Sequence, residues 1–139
     1  MEVLYESEFM SIRYDKENRI IGNGWTLKTQ NMSDKTFREE VSLYRKTVAA
    51  QSPTPLNILS DATNFVFTIT PETQEWLNKN WDDIFEEIGC KKYAIIMSGE
   101  LISQLSIEQY VEDNEERGSD DFQMNYFDSP EKAIAWFLK

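Results

Sequence analysis

Two short strings constrain this chain more than any other feature: Thr70-Pro71-Glu72 and Ser129-Pro130-Glu131. In each, a hydroxyl residue can cap a helix, and proline stands where the first helical N–H has no partner to lose. An acid then sits in the first turn against the positive end of the dipole. Each string follows an extended, aromatic-rich stretch, directly after Phe65–Ile69 in one case and one residue beyond Phe122–Phe127 in the other. A chain that passes twice from an extended run into a marked helix start is building strand–helix units, which favour a sheet flanked by helices.

The rest of the chain fits that pattern. Glu2–Ser7 and Phe9–Tyr14 alternate apolar and polar residues as half-buried strands do. The polar turn Asp15-Lys16-Glu17-Asn18 leads into a third extended run, Arg19–Leu27. Gly22 and Gly24 within it suggest a bulge or a twisted stretch. Ser33 or Asp34 starts a helix reaching about Ala50, with Phe37, Val41, Tyr44 and Val48 along one stripe. Ser52-Pro53-Thr54-Pro55 breaks it. Leu56–Leu59 then reads as a buried strand, and Phe65–Ile69 as a second extended piece or a continuation of it.

From Thr70 a single helix is expected, with Leu77, Trp81, Ile84, Phe85 and Ile88 as its apolar stripe and Gly89 as its end. Tyr93–Met97 is a continuous apolar run of the kind covered on both faces. A helical stretch follows from about Glu100, with a capping-box pattern at Ser106-Ile107-Glu108-Gln109 and a close at Gly118. A last strand, Phe122–Phe127, precedes a terminal helix whose apolar face is Ile134, Phe137 and Leu138. The order β-β-β-α-β-α-β-α-β-α predicts an α/β fold, with α+β as the neighbouring class. Residues 1–139 would form one domain: a mixed sheet, an antiparallel meander first and parallel strands later, flanked by about four helices and joined by right-handed crossovers.

Charge and composition then limit function. The 25 acidic against 14 basic residues leave a net charge of −11. That charge repels phosphate backbones and anionic headgroups, so nucleic acid and membrane surfaces are disfavoured partners. The nearest approach to a basic cluster is Lys91–Lys92. No run approaches the roughly 20 apolar residues that cross a bilayer, and no basic-then-apolar leader opens the sequence. A single cysteine, Cys90, has no partner in the chain. These features together predict a cytoplasmic protein.

The count of zero histidines is the sharpest exclusion. It removes Ser-His-Asp and Cys-His nucleophile pairs and His-ligated zinc, and one cysteine removes thiolate-rich zinc. Only carboxylate or lysine chemistry survives. No catalytic residue, metal site or cofactor is therefore assigned. Gly22-Asn23-Gly24 lacks the third glycine and the following helix of a dinucleotide loop. The acids from Glu108 to Asp121 lack the alternation and central glycine of a calcium loop, and read as a solvated face. Trp81 and Trp136 belong on apolar helix stripes. Trp25 and Trp76, each flanked by polar residues, are either packed or border a binding groove. Cys90, just past a helix end where the dipole disfavours a thiolate, reads as an inert thiol.

The element order, with Asn57–Asn64 leading through an extended segment into Thr70-Pro71-Glu72, resembles the STAS fold of SpoIIAA-like anti-sigma-factor antagonists. Leu4–Tyr14, the Glu75-Trp76 helix, Ser106–Glu112 and Tyr126-Phe127-Asp128-Ser129 are similar to bacterial STAS/SEC14-domain-containing proteins of uncharacterised function. The resemblance implies a non-enzymatic regulatory or protein-interaction module. It also implies a hydroxyl at the start of the helix after the middle strand that a partner kinase modifies. Thr70 stands nearest that place, with Thr68 just before it. The alternative is that Thr70 only caps its helix, a role worth about 1 kcal/mol. A carrier of a small molecule or lipid, with a cavity lined by Trp25 or Trp76, is the second functional expectation. The expected partner is a protein, and an open strand edge of such a sheet is also suited to pairing with a second copy.

Overall fold

The computed structural model describes residues 1–51, 54–103 and 122–139. Six strands form one mixed sheet in sequential order: β1 Glu2–Glu6, β2 Met10–Asp15, β3 Ile20–Trp25, β4 Asn57–Asp61, β5 Lys92–Ile96 and β6 Gln123–Phe127. The first three pair antiparallel and β3 to β6 pair parallel. The described helices are α1 Asp34–Ala49, α2 Pro71–Asn80, α3 Ile84–Glu87, α4 Gly99–Ser103 and α5 Pro130–Phe137, with a 3-10 turn at Leu27–Asn31. The mixed α/β architecture read from the sequence is the one that forms.

Local chemistry accounts for the boundaries. Asn18 N–H and its side-chain amide both donate to Asp15, and Arg19 adopts a φ of 56°, which tightens the β2–β3 turn. Ser33, Thr70 and Ser129 each accept a hydrogen bond from the N–H three residues on, at 3.1, 3.2 and 3.4 Å. These three predicted helix starts are thus capped. Gly89, with φ of +64°, turns the chain out of α3.

Three expectations change. The bulge lies not at Gly22 or Gly24 but between Val3 and Tyr5 of β1; β3 runs in unbroken register with both neighbours. The single helix after Thr70 divides at Trp81–Asp83. Asn80 donates its side-chain amide to Trp76 O at 2.8 Å, and Trp81 leaves helical geometry to stack on Tyr44 with ring centroids 4.9 Å apart. Phe65–Ile69 is no strand: Phe67 stacks on Phe37 and Phe65 meets the same ring tilted, within the cluster around Met32, Phe37 and Val41. The pattern at Ser106–Gln109, the close at Gly118 and the acids Glu108–Asp121 lie outside the described residues, as does the Ser52-Pro53 part of the predicted break.

The sheet carries two unequal layers. On one face Ile12, Ile21 and Ile58 pack beneath Tyr44 and Val48 of α1 and Ile84 and Phe85 of α3. On the other, Ile20, Leu59, Ala94 and Ile96 lie under Ala133 and Phe137 of α5. A third cluster, built on Met32, Phe37 and Val41, includes the 65–69 segment. The edge hairpin is pinned to α1 by Glu40, which accepts from Tyr5 Oη at 2.9 Å and Ser7 Oγ at 3.2 Å.

Candidate functional site

In open α/β sheets, ligands collect in a crevice where the strand order reverses. Here β3 to β6 follow one another without reversal, so that crevice is not formed. The candidate site lies instead on the face that carries α1 and α3, beside the β5–β6 half of the sheet. A cleft of about 1350 Å³ opens there. Leu77, Trp81 and Phe85 form its helical wall, and Tyr93, Ile95, Met97, Met124 and Tyr126 form its sheet wall.

The helix break explains how the helical wall is composed. Because the chain turns at Trp81–Asp83, Trp81 and Phe85 meet edge to face at 6.0 Å, and Phe85 in turn packs on Tyr93 at 4.8 Å. Strand alternation explains the sheet wall. In β5, Ala94 and Ile96 point into the α5 layer and are buried, whereas Tyr93 and Ile95 face the cleft and are half-buried. The strand that the sequence reads as covered on both faces is buried against α5 on one face, and on the other Tyr93 and Ile95 pack, half-buried, against the first cluster.

Polar groups border the cleft: Gln74 and Asn78 from α2, Asp82 and Glu86 from the helical wall, and Lys91 at the start of the sheet wall. Asp82, Lys91, Tyr93 and Tyr126 carry further interactions of their own. Cys90 is buried, lines the cleft, and donates its thiol to Lys92 O at 3.2 Å. Tyr44 lies behind this wall, stacked on Trp81. Burial, and then the neighbouring Tyr93 and Cys90, push its phenol well above the ordinary tyrosine range.

The residues singled out from sequence fall in different places. Thr70 caps α2, accepting from Thr73 N–H and donating to Thr73 Oγ1 at 3.1 Å; Thr73 Oγ1 donates onward to Asp34 of α1. Its hydroxyl thus serves helix capping and the α1–α2 contact. Ile69, immediately before it, lines the cleft, while Thr68 is exposed. Trp25 packs against Phe37 at 5.7 Å and Phe65 at 5.1 Å, inside the third cluster. Trp76 lies under the Arg38 guanidinium at 5.4 Å. Neither tryptophan lines the cleft. The Lys91–Lys92 pair is split: Lys92 Nζ donates to Trp136 O at 2.9 Å on the α5 side.

Sequence reasoning missed the cleft residues because Tyr93, Ile95, Met97 and Trp81 carry the same signal as core. Tyrosine and methionine in the β5 run were the available hint, since both tolerate a half-wet wall. Among the described residues no group of three or more histidine, cysteine, aspartate or glutamate side chains stands close enough to hold a metal ion, and no helix is long and apolar enough to cross a membrane. Comparison with protein-family models, with curated proteins and with solved structures finds no match to the chain.

Proposed function

We propose that the protein is a non-enzymatic interaction module that receives a segment of a partner protein in the cleft between α2–α3 and β5–β6. The observation that carries this reading is the cleft's size and character together. At about 1350 Å³ it exceeds the roughly 300–1000 Å³ of small-molecule pockets, and its walls are aromatic and thioether-rich with polar groups at the margin. That composition suits a protein surface. The absence of histidine from the chain, which removes the commonest general base, points the same way. The likeness to STAS proteins supports a regulatory role, with Ile69 and α2 linking Thr70 to the cleft.

The test is a pull-down from host lysate with the native chain and with Met97→Arg, which places a charge in the apolar wall. A protein retained by the native chain and lost by the variant is the expected outcome. The carrier reading is favoured by the same aromatic lining and predicts something else: native mass spectrometry would show a co-purifying small molecule or lipid, and no protein would be retained. That outcome would overturn the interaction reading.

A further inference from the structure

We propose that the extended segment Phe65–Ile69 pairs, antiparallel and about a two-fold axis at Phe67, with the same segment of a second copy of this chain. Dimerisation through it does not depend on what the cleft receives. The segment has the side-chain pattern of a strand but no ladder. Phe65, Phe67 and Ile69 pack in the third cluster, while Val66, at 47% exposure, and Thr68 face outward. Phe65 N–H donates to Ala62 O at 3.1 Å within a turn, and Val66 N–H to Thr29 Oγ1 at 3.0 Å. Among the described residues, the N–H groups of Phe67, Thr68 and Ile69 and the carbonyls of all five residues have no hydrogen-bond partner. Such a row of unmade main-chain bonds is a template for another strand.

Main-chain groups of alternate residues in an extended chain point to opposite sides. Val66 aims its N–H at Thr29, whose hydroxyl donates to Thr26 O at 2.8 Å, so that side meets the body of the molecule. Phe67 and Ile69 therefore present their N–H and C=O groups to the other side. A strand free on both sides would add copies without limit. A single free side, paired about a two-fold axis, is used up in a closed dimer.

Charge selects the occupant. No side chain from Ala62 to Pro71 is charged, in a chain of net charge −11. Pairing about Phe67 sets Val66 opposite Thr68 and Phe65 opposite Ile69, β-branched and aromatic side chains that suit cross-strand contact. No like charges meet. The edge strand β1 is the contrasting case. An antiparallel self-pair centred on Leu4 would set Glu2 against Glu6, and the bulge between Val3 and Tyr5 interrupts the ladder.

Sedimentation equilibrium of the full chain tests the stoichiometry. The mean mass is expected to rise from that of one chain toward twice it between about 1 μM and 1 mM, since a short two-stranded contact is weak. Over that range, amide exchange followed by NMR should slow about twofold or more at Phe67 and Ile69 but not at Thr68. Val66→Lys with Thr68→Lys sets lysine against lysine across the pair and should weaken it about fivefold or more. Val66→Glu with Thr68→Lys sets opposite charges at the same two places and should restore the dimer. Val3→Lys, on the exposed face of β1, should leave it unchanged.

A mass that stays at one chain, or one that climbs past twice that value without a plateau, would overturn the proposal. So would equal dimerisation of the two double variants, a loss on Val3→Lys in place of the double lysine, or protection at Thr68 instead of Phe67. Thermal melting checks that each variant is folded. Amide exchange in the native chain carries the test without any substitution.

Discussion

Tyr44 illustrates how one side chain can serve packing against its own chemistry. Its ring stacks on Trp81 and is buried, while its hydroxyl finds no hydrogen-bond partner in the described structure. A buried donor left unmade costs about 1–3 kcal/mol. Tyr44→Phe is therefore expected to leave stability unchanged or to raise it by about 1 kcal/mol, as urea unfolding would show. A clear loss would mean that the hydroxyl is satisfied. The folded phenol holds its proton more tightly than an unfolded one, so its contribution is fully present below the unfolded value near 10. Stability should fall as pH rises beyond that value, and Tyr44→Phe should flatten the alkaline fall. Asp128 behaves in the opposite sense. Its hydrogen bond to Lys132 lowers its carboxyl below the ordinary value of 3.8. Its contribution is present above that value and fades as pH falls through the folded one. NMR titration of Asp128 in Lys132→Gln should show the carboxyl returning toward 3.8.

At the scale of elements, Gly22 is the clearest case of strand pairing that dictates a residue. A Cβ built there would lie 2.0 Å from the carbonyl oxygen of Leu59, its partner on β4. The obstacle is backbone and cannot rotate away, so Gly22→Ala must part β3 from β4. We expect a loss of about 1–3 kcal/mol by chemical unfolding. Gly24, where a Cβ would meet nothing nearer than 3.6 Å, should tolerate alanine far better. The sequence marked both glycines but not this reason, because the close neighbour lies 37 positions along the chain. Helix starts were legible for the converse reason. Ser33, Thr70 and Ser129 act on N–H groups three residues away, so cap and target share one short string. The break at Trp81 was not legible. An apolar stripe continues across it, and the ring on which Trp81 stacks, Tyr44, belongs to α1, far along the chain.

Across the whole molecule, the two sheet faces are covered unequally. The α5 layer rests on few groups, Ala133 and Phe137 over Ile20, Leu59, Ala94 and Ile96. Phe137→Ala should cost about 3–5 kcal/mol and raise binding of an apolar dye as that face opens to water. A loss below about 1 kcal/mol would show that α5 is not needed to close the sheet. The other face, deeply packed under α1 and α3, gives way toward β5 and β6 to the cleft. The sequence by itself determined the order of elements, the capped helix starts and the mixed sheet, since each depends on contacts within a few residues or on strand and helix periodicity. Tertiary structure alone decided which apolar side chains line a cleft and which are core: Tyr93 and Ala94 are neighbours in the chain, but strand alternation sends them to opposite faces, and what covers each face comes from distant segments.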